Sequence, residues 1–124
     1  MTLRGQRLFV RPIETADSEA IRGFLAAHAQ SSAAPGSGLV GKLVGDLVAV
    51  LSMEVTDDAI RVDDLVVARE LRRKQIGRVM LNELAAIAVK MERDRLVVER
   101  GGAREFLLRV GFVEEGTRMV RRLG

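Results

Sequence analysis

A chain of 124 residues, 48% of them hydrophobic, can bury one core but is too short for two, so a single domain spanning 1–124 is expected. It has no cysteine and one histidine, His28, which excludes disulfides, thiolate metal sites, cysteine nucleophiles, His-rich metal sites and the Ser-His-Asp triad. The net charge of +3 suits a phosphate-bearing ligand or nucleic acid without requiring either. No apolar run approaches the roughly 18 residues of a membrane span and no signal-peptide pattern opens the chain, so a soluble cytoplasmic protein is expected.

"LFVRPIE" (8–14) has the composition of a short strand. "TADSEAIRGFLAAHAQ" (15–30) follows as a helix, with Thr15 or Asp17 as its N-cap and acids in the first turn. Ile21, Phe24, Leu25 and His28 fall at i, i+3, i+4 and i+7, on one face. His28 is read there as a packing residue near the helix C-terminus, at the favourable end of the dipole. "SSAAPGSG" (31–38) is a loop of small residues. "LVGKLV" and "LVAVLSMEVT" flank Gly45-Asp46, a two-residue hairpin signal. The second of these runs is almost continuously apolar, as in a central strand covered on both faces.

"TDDA" (56–59) turns the chain into a strand at "IRVDDLVV" (60–67). Strict alternation along it sends Asp63 and Asp64 to opposite faces. A helix of about 76–92 follows, with its methionines at core spacing. "RLVV" (95–98) is a strand. Residues 103–111 form a helix with Ala103, Phe106, Leu107 and Val110 on one face and Gly111 at its C-terminal cap. "FVEEGTRMVRRL" closes as one strand or as a hairpin around Gly116. The order β-α-β-β-β-α-β-α-β(β) implies a mixed α/β sheet with helices on its faces.

"RRKQIGR" (72–78) stands where the 76–92 helix begins. A helix N-terminus exposes unpaired N–H groups and the positive end of the macrodipole. Gly77 permits close approach to the backbone. Arg72, Arg73, Lys74 and Arg78 add charge and, for arginine, bidentate reach. The arrangement is a phosphate cradle or a solvated basic loop. It is neither a Walker A loop nor a dinucleotide fingerprint, since G-x-x-x-x-G-K-[ST] and G-x-G-x-x-G are both absent.

"DDLVVARELRRKQIGRVML" resembles motif A of the GNAT N-acetyltransferase superfamily, [Q/R]-x-x-G-x-[G/A], with Arg72 at the first position, Gln75 in place of the middle glycine and Gly77 at the last. "REFLLRVGFVEEGTRMVRRL" is similar to that family's C-terminal region, and "LFVRPIETADSEAI" to its first strand and helix. The resemblance implies a mostly antiparallel sheet of about six strands flanked by three helices and splayed at the central strands. It implies acyl transfer from acetyl-CoA to a primary amine in a ternary complex, with no metal. The pantetheine arm of CoA would run along Leu65, Val66 and Val67, near Phe106. The pyrophosphate would sit on Arg72, Arg73, Lys74, Gln75, Ile76, Gly77 and Arg78, and a backbone N–H at Val66 or Val67 would serve as oxyanion donor.

The chain departs from the family twice. Leu107 stands where many members have an acid tyrosine, and Arg100, which could reach a phosphate of CoA or be plain surface, where they often have a CoA-contacting asparagine. Candidate bases are Asp64, Asp63 and Glu54, each taken singly reading more readily as a solvated strand-end acid or an ion-pair partner of an arginine. The small-residue loop after the first helix gives no code for the acceptor, and such a thin wall could be completed by a homodimer. Beside the enzyme stand two other readings. One is a non-catalytic CoA or acyl-CoA binder. The other is a nucleic-acid binder using Arg69–Arg78 with Arg118, Arg121 and Arg122, which the modest charge and the lack of Tyr and Trp disfavour.

Overall fold

A computed structural model of the chain describes residues 7–29, 34–72, 75–99 and 103–124. Its elements are β1 (Leu8–Pro12), α1 (Ser18–His28), β2 (Gly38–Leu43), β3 (Asp46–Val55), β4 (Ala59–Val67), α2 (Ile76–Lys90), β5 (Arg95–Val98), α3 (Arg104–Arg109), β6 (Val113–Glu115) and β7 (Arg118–Arg122). Short 3-10 turns at Thr15–Asp17 and Arg69–Leu71 precede the first two helices. The strands form one sheet in the order β1-β2-β3-β4-β5-β7-β6, parallel only between β4 and β5. It has seven strands rather than six, because the C-terminal segment folds as the hairpin around Gly116, whose φ is +67°.

Local chemistry explains most boundaries. The first helix begins later than Thr15 because Asp17 turns its carboxylate back, accepting from the Glu14 N–H at 2.7 Å and from both Arg11 terminal nitrogens at 2.8 Å. The β2–β3 hairpin turns on Val44 and Gly45, at φ +51° and +84°, one residue before the Gly45-Asp46 pair read from sequence. Gly111, at φ +98°, follows α3 in the left-handed conformation expected of a helix end.

Residues opposed in antiparallel pairs share a face. Leu39–Leu51–Leu65 and Gly41–Ala49–Val67 define one face, and Val40–Val50–Val66 the other. α2 covers the first: a Cβ on Gly41 would lie 2.9 Å from Met80 Sδ. On the second face, α1 packs against β3 and β4 and buries Ile21, Phe24 and Leu25. The run Val48–Leu51 is buried throughout, as a doubly covered central strand requires.

β4 is irregular in two places. Met53 opposes Val62 but Ser52 opposes Asp64, so Asp63 is an extra residue, a β-bulge. The alternation that put Asp63 and Asp64 on opposite faces therefore fails at this point. The second irregularity is the splay. β5 pairs with β4 only from Ala59 to Arg61, and beyond Val62 that edge of β4 has no strand beside it among the described residues.

Candidate active site

A cleft of about 1010 Å³ opens where β4 leaves β5. It is lined by Asp64 to Val67 of β4, by Arg72 and Gln75 to Arg78 at the start of α2, and by Phe106, Arg109 and Val110 at α3. His28, Ala29 and Leu71 complete the wall. The residues read as cofactor-binding, Leu65, Val66, Val67, Arg72, Gln75, Ile76, Gly77, Arg78 and Phe106, are thus brought together around one space. Arg73, Lys74 and Arg100 lie outside the described residues.

The polarity of β4 follows from one bond. The Ala68 N–H donates to the Val48 carbonyl at 2.8 Å, which aims the even-numbered amides of this stretch at β3. Along a strand, alternate amides point to opposite edges, so those of Leu65 and Val67 face the splay. Leu65 donates to the Asp64 carboxylate at 2.9 Å. The Val67 carbonyl, on the same edge, accepts from Arg72 Nε at 3.2 Å. Of the two amides offered as oxyanion donor, Val67 looks into the cleft and Val66 into the sheet.

The α2 N-terminus closes the opposite wall. Gln75 is its N-cap with no side-chain cap hydrogen bond, and no acid stands in the first turn. Its leading amides therefore carry an uncompensated positive dipole end toward the cleft. Gln75 occupies the left-handed region at φ +65°, where the family pattern has glycine. Gly77 is helical, and its missing side chain makes room for packing: a Cβ there would lie 3.1 Å from Phe106 Cζ and 3.4 Å from Leu65 Cδ2. The glycine thus seats α2 against α3 and β4 as well as baring the backbone.

Among the described residues, three arginines, Arg72, Arg78 and Arg109, line the cleft against one carboxylate, Asp64. The set suits an extended anionic ligand, with the α2 amides for phosphate oxygens and the Val67 N–H on the splayed edge of β4 for amide-bearing chain. The candidate bases separate. Asp64 lines the cleft, whereas Asp63 and Glu54 do not. Arg61 takes both of those, bonding Asp63 at 2.6 Å and Glu54 at 2.9 Å. The Asp63 hydrogen bond, followed by the charges of Asp63 and Glu54, raises the Arg61 pKa. These two acids are ion-pair partners: Asp63 stands two residues along β4 from Arg61, and Glu54 opposes Arg61 on β3.

Leu107, at the family's tyrosine position, is buried and contributes nothing to the cleft. Arg109 is a cleft residue that the sequence reading misses, although its place three residues after Phe106 on one helix puts it within reach of the same wall. For His28 the structure adds polar contacts to the expected packing. Its Nδ1 accepts from the Arg69 N–H at 3.1 Å, and its carbonyl accepts from Arg72 Nη2 at 3.1 Å. Among the cations of the nucleic-acid reading, Arg121 donates to Asn82 and Arg122 pairs with Glu115. Among the described residues, no helix is long and apolar enough to cross a membrane.

The model of the Acetyltransferase (GNAT) family matches residues 7–112. No curated protein matches by sequence. Among solved structures, the ribosomal-protein-S18-alanine N-acetyltransferase from Escherichia coli superposes with a TM-score of 0.80 at 15% identity, over 95% of each chain. A GNAT family acetyltransferase from Brucella melitensis in complex with acetyl-CoA gives 0.75 at 14% identity, over 95% of this chain and 89% of its own. A GNAT family N-acetyltransferase from Escherichia coli in complex with CoA gives 0.73 at 19% identity, over 95% and 82%. At these identities the likeness is one of fold.

Proposed function

The chain belongs to the Acetyltransferase (GNAT) family, and we propose that it transfers an acetyl group from acetyl-CoA to a primary amine by direct attack in a ternary complex. The observation that carries this reading is the pairing, across one cleft, of the free Val67 edge of β4 with the uncapped N-terminus of α2. When bound, acetyl-CoA supplies the acyl thioester. The amides of Gln75 to Arg78 would hold its phosphates, with Arg78 and Arg109 adding charge. The Leu65–Val67 edge would pair with its amide-bearing arm.

In this reading the Val67 N–H meets the thioester oxygen as negative charge builds on it, a preorganised donor fixed by the strand backbone. Asp64 is the base, held in place by the Leu65 N–H. No tyrosine is available as acid, and Leu107 cannot donate a proton. A thiol with an ordinary pKa of about 8.5 can depart as thiolate, protonated by water.

That missing acid also favours a second reading, a non-catalytic CoA or acyl-CoA binder. One experiment separates them. Thermal unfolding with CoA and acetyl-CoA tests binding: ligand at about 100 times its dissociation constant adds about 2.7 kcal/mol, several degrees for a domain of this size. A thiol-release assay over a panel of primary amines then tests transfer. Binding with thiol release supports the enzyme, and binding without it the silent binder. No shift at millimolar ligand overturns both. A single domain over 1–124 and a cytoplasmic location belong to the same proposal, with a homodimer as the means of finishing the acceptor wall.

A further inference from the structure

We propose that His28 is a positioning residue that sets the cofactor cradle by accepting a hydrogen bond from the backbone of the β4–α2 connection. The inference rests on the CoA reading of the cleft. The Arg69 N–H belongs to the turn that carries the chain from β4 toward α2, and it donates to His28 Nδ1 at 3.1 Å, bridging 41 residues of sequence. One residue thus joins α1 to this connection twice, since the His28 carbonyl also takes Arg72 Nη2 at 3.1 Å. Arg72 in turn holds the Val67 carbonyl through Nε at 3.2 Å.

The consequence is a clasp. The C-terminus of α1, the end of β4 and the turn Arg69–Leu71 are tied at three points beside the cleft. Arg72 commits two of its donor nitrogens to this clasp, so its side chain acts first as a strut. Its backbone N–H donates to the Arg69 carbonyl, so its remaining Nη1 is what is left for a phosphate. The imidazole must be the Nε2–H tautomer, because an Nδ1 that accepts carries no proton. Packing alone does not call for this arrangement. The ring sits 4.7 Å from the Phe24 ring, a contact that any aromatic side chain could make.

Two substitutions separate the ring from the acceptor. His28→Phe keeps the contact with Phe24 and removes the acceptor. His28→Asn removes the ring and places its amide oxygen where Nδ1 stood. Each variant is assayed for CoA affinity by calorimetry, for thermal midpoint, and for hydrogen exchange at the Arg69 amide. H28F is expected to weaken CoA by about three- to tenfold, tenfold being about 1.4 kcal/mol, with faster exchange at Arg69. H28N is expected to bind CoA within about twofold of the parent, because the acceptor is rescued.

The role is overturned if the parent binds CoA and H28F binds it equally well, or if H28N loses as much affinity as H28F. Unchanged exchange at Arg69 in H28F overturns it independently of any ligand. A parent protein that binds no CoA overturns the function as well as the role, so the two failures are told apart by the parent titration.

Discussion

The Ala68 N–H reaches the Val48 carbonyl at 2.8 Å, and that bond turns the Val67 amide out of the sheet and into the cleft. Removing the Val67 amide should therefore remove the oxyanion donor without unpairing β3 from β4. Val67→Pro does this at an unpaired strand edge, where proline is tolerated. The expected outcome is a fall in kcat of about a hundred- to a thousandfold, with the CoA-induced thermal shift retained. An unchanged kcat in a folded variant would reassign the donor.

Asp64 is the one candidate base whose carboxylate lines the cleft. Asp64→Asn should lower kcat by about a hundredfold or more and leave CoA affinity within about twofold. Asp63→Asn and Glu54→Gln each disturb only an exposed pair with Arg61. They should leave kcat unchanged and cost less than about 1 kcal/mol. Equal losses in all three variants would contradict the assignment.

How much of the molecule is legible in its sequence depends on the range of each interaction. Ile21, Phe24 and Leu25 repeat at helical spacing, and all three are buried as that spacing requires. The basic run and Gly77 mark the α2 N-terminus because the features of an anion-binding helix start are contiguous in sequence. The bulge at Asp63 is hidden, since an inserted residue leaves the composition of a strand untouched while reversing its faces. The His28 clasp is hidden by the separation of 41 positions between its partners. The hairpin turn reads one residue late because valine is not a turn residue, yet Val44 occupies the turn.

Among the described residues, Val44 is the costliest backbone position for its residue type. It sits at φ +51° in an exposed two-residue turn with Gly45 at +84°, and a β-branched side chain crowds its own carbonyl there. Two positive φ values match the hairpin turn that favours Asn-Gly. Val44→Asn should stabilise by about 1 kcal/mol, raising the thermal midpoint by about 3–5 °C, with activity unchanged.

Arg11 and Asp17 form the other local determinant, a bidentate pair at 2.8 Å with the Glu14 N–H as third donor. The Arg11 hydrogen bonds, foremost, and then that backbone bond hold the Asp17 pKa well below the carboxylate range. A folded-state pKa below the unfolded value of about 3.9 means the stabilisation is full above pH ~4 and is lost as pH falls toward the folded value. Asp17→Asn should cost about 2 kcal/mol at pH 7. Urea midpoints should show the gap between parent and variant narrowing steadily as pH falls below about 4. A gap independent of pH would mean that the pair's charge is not what stabilises it.

Gln75 carries backbone strain at the cleft itself, at φ +65° where a side chain costs about 1 kcal/mol. Gln75→Gly removes that cost but adds freedom to the unfolded chain, worth about 0.5–1 kcal/mol. The net gain should be at most about 0.5 kcal/mol, smaller than for Val44→Asn, because glutamine is not β-branched. Since the left-handed geometry is already set in this structure, CoA affinity in the variant should stay within about twofold of the parent. A large gain in affinity, measured by calorimetry, would mean that Gln75 obstructs the α2 amides. In that case the missing family glycine, rather than the missing tyrosine, would be what limits this cleft.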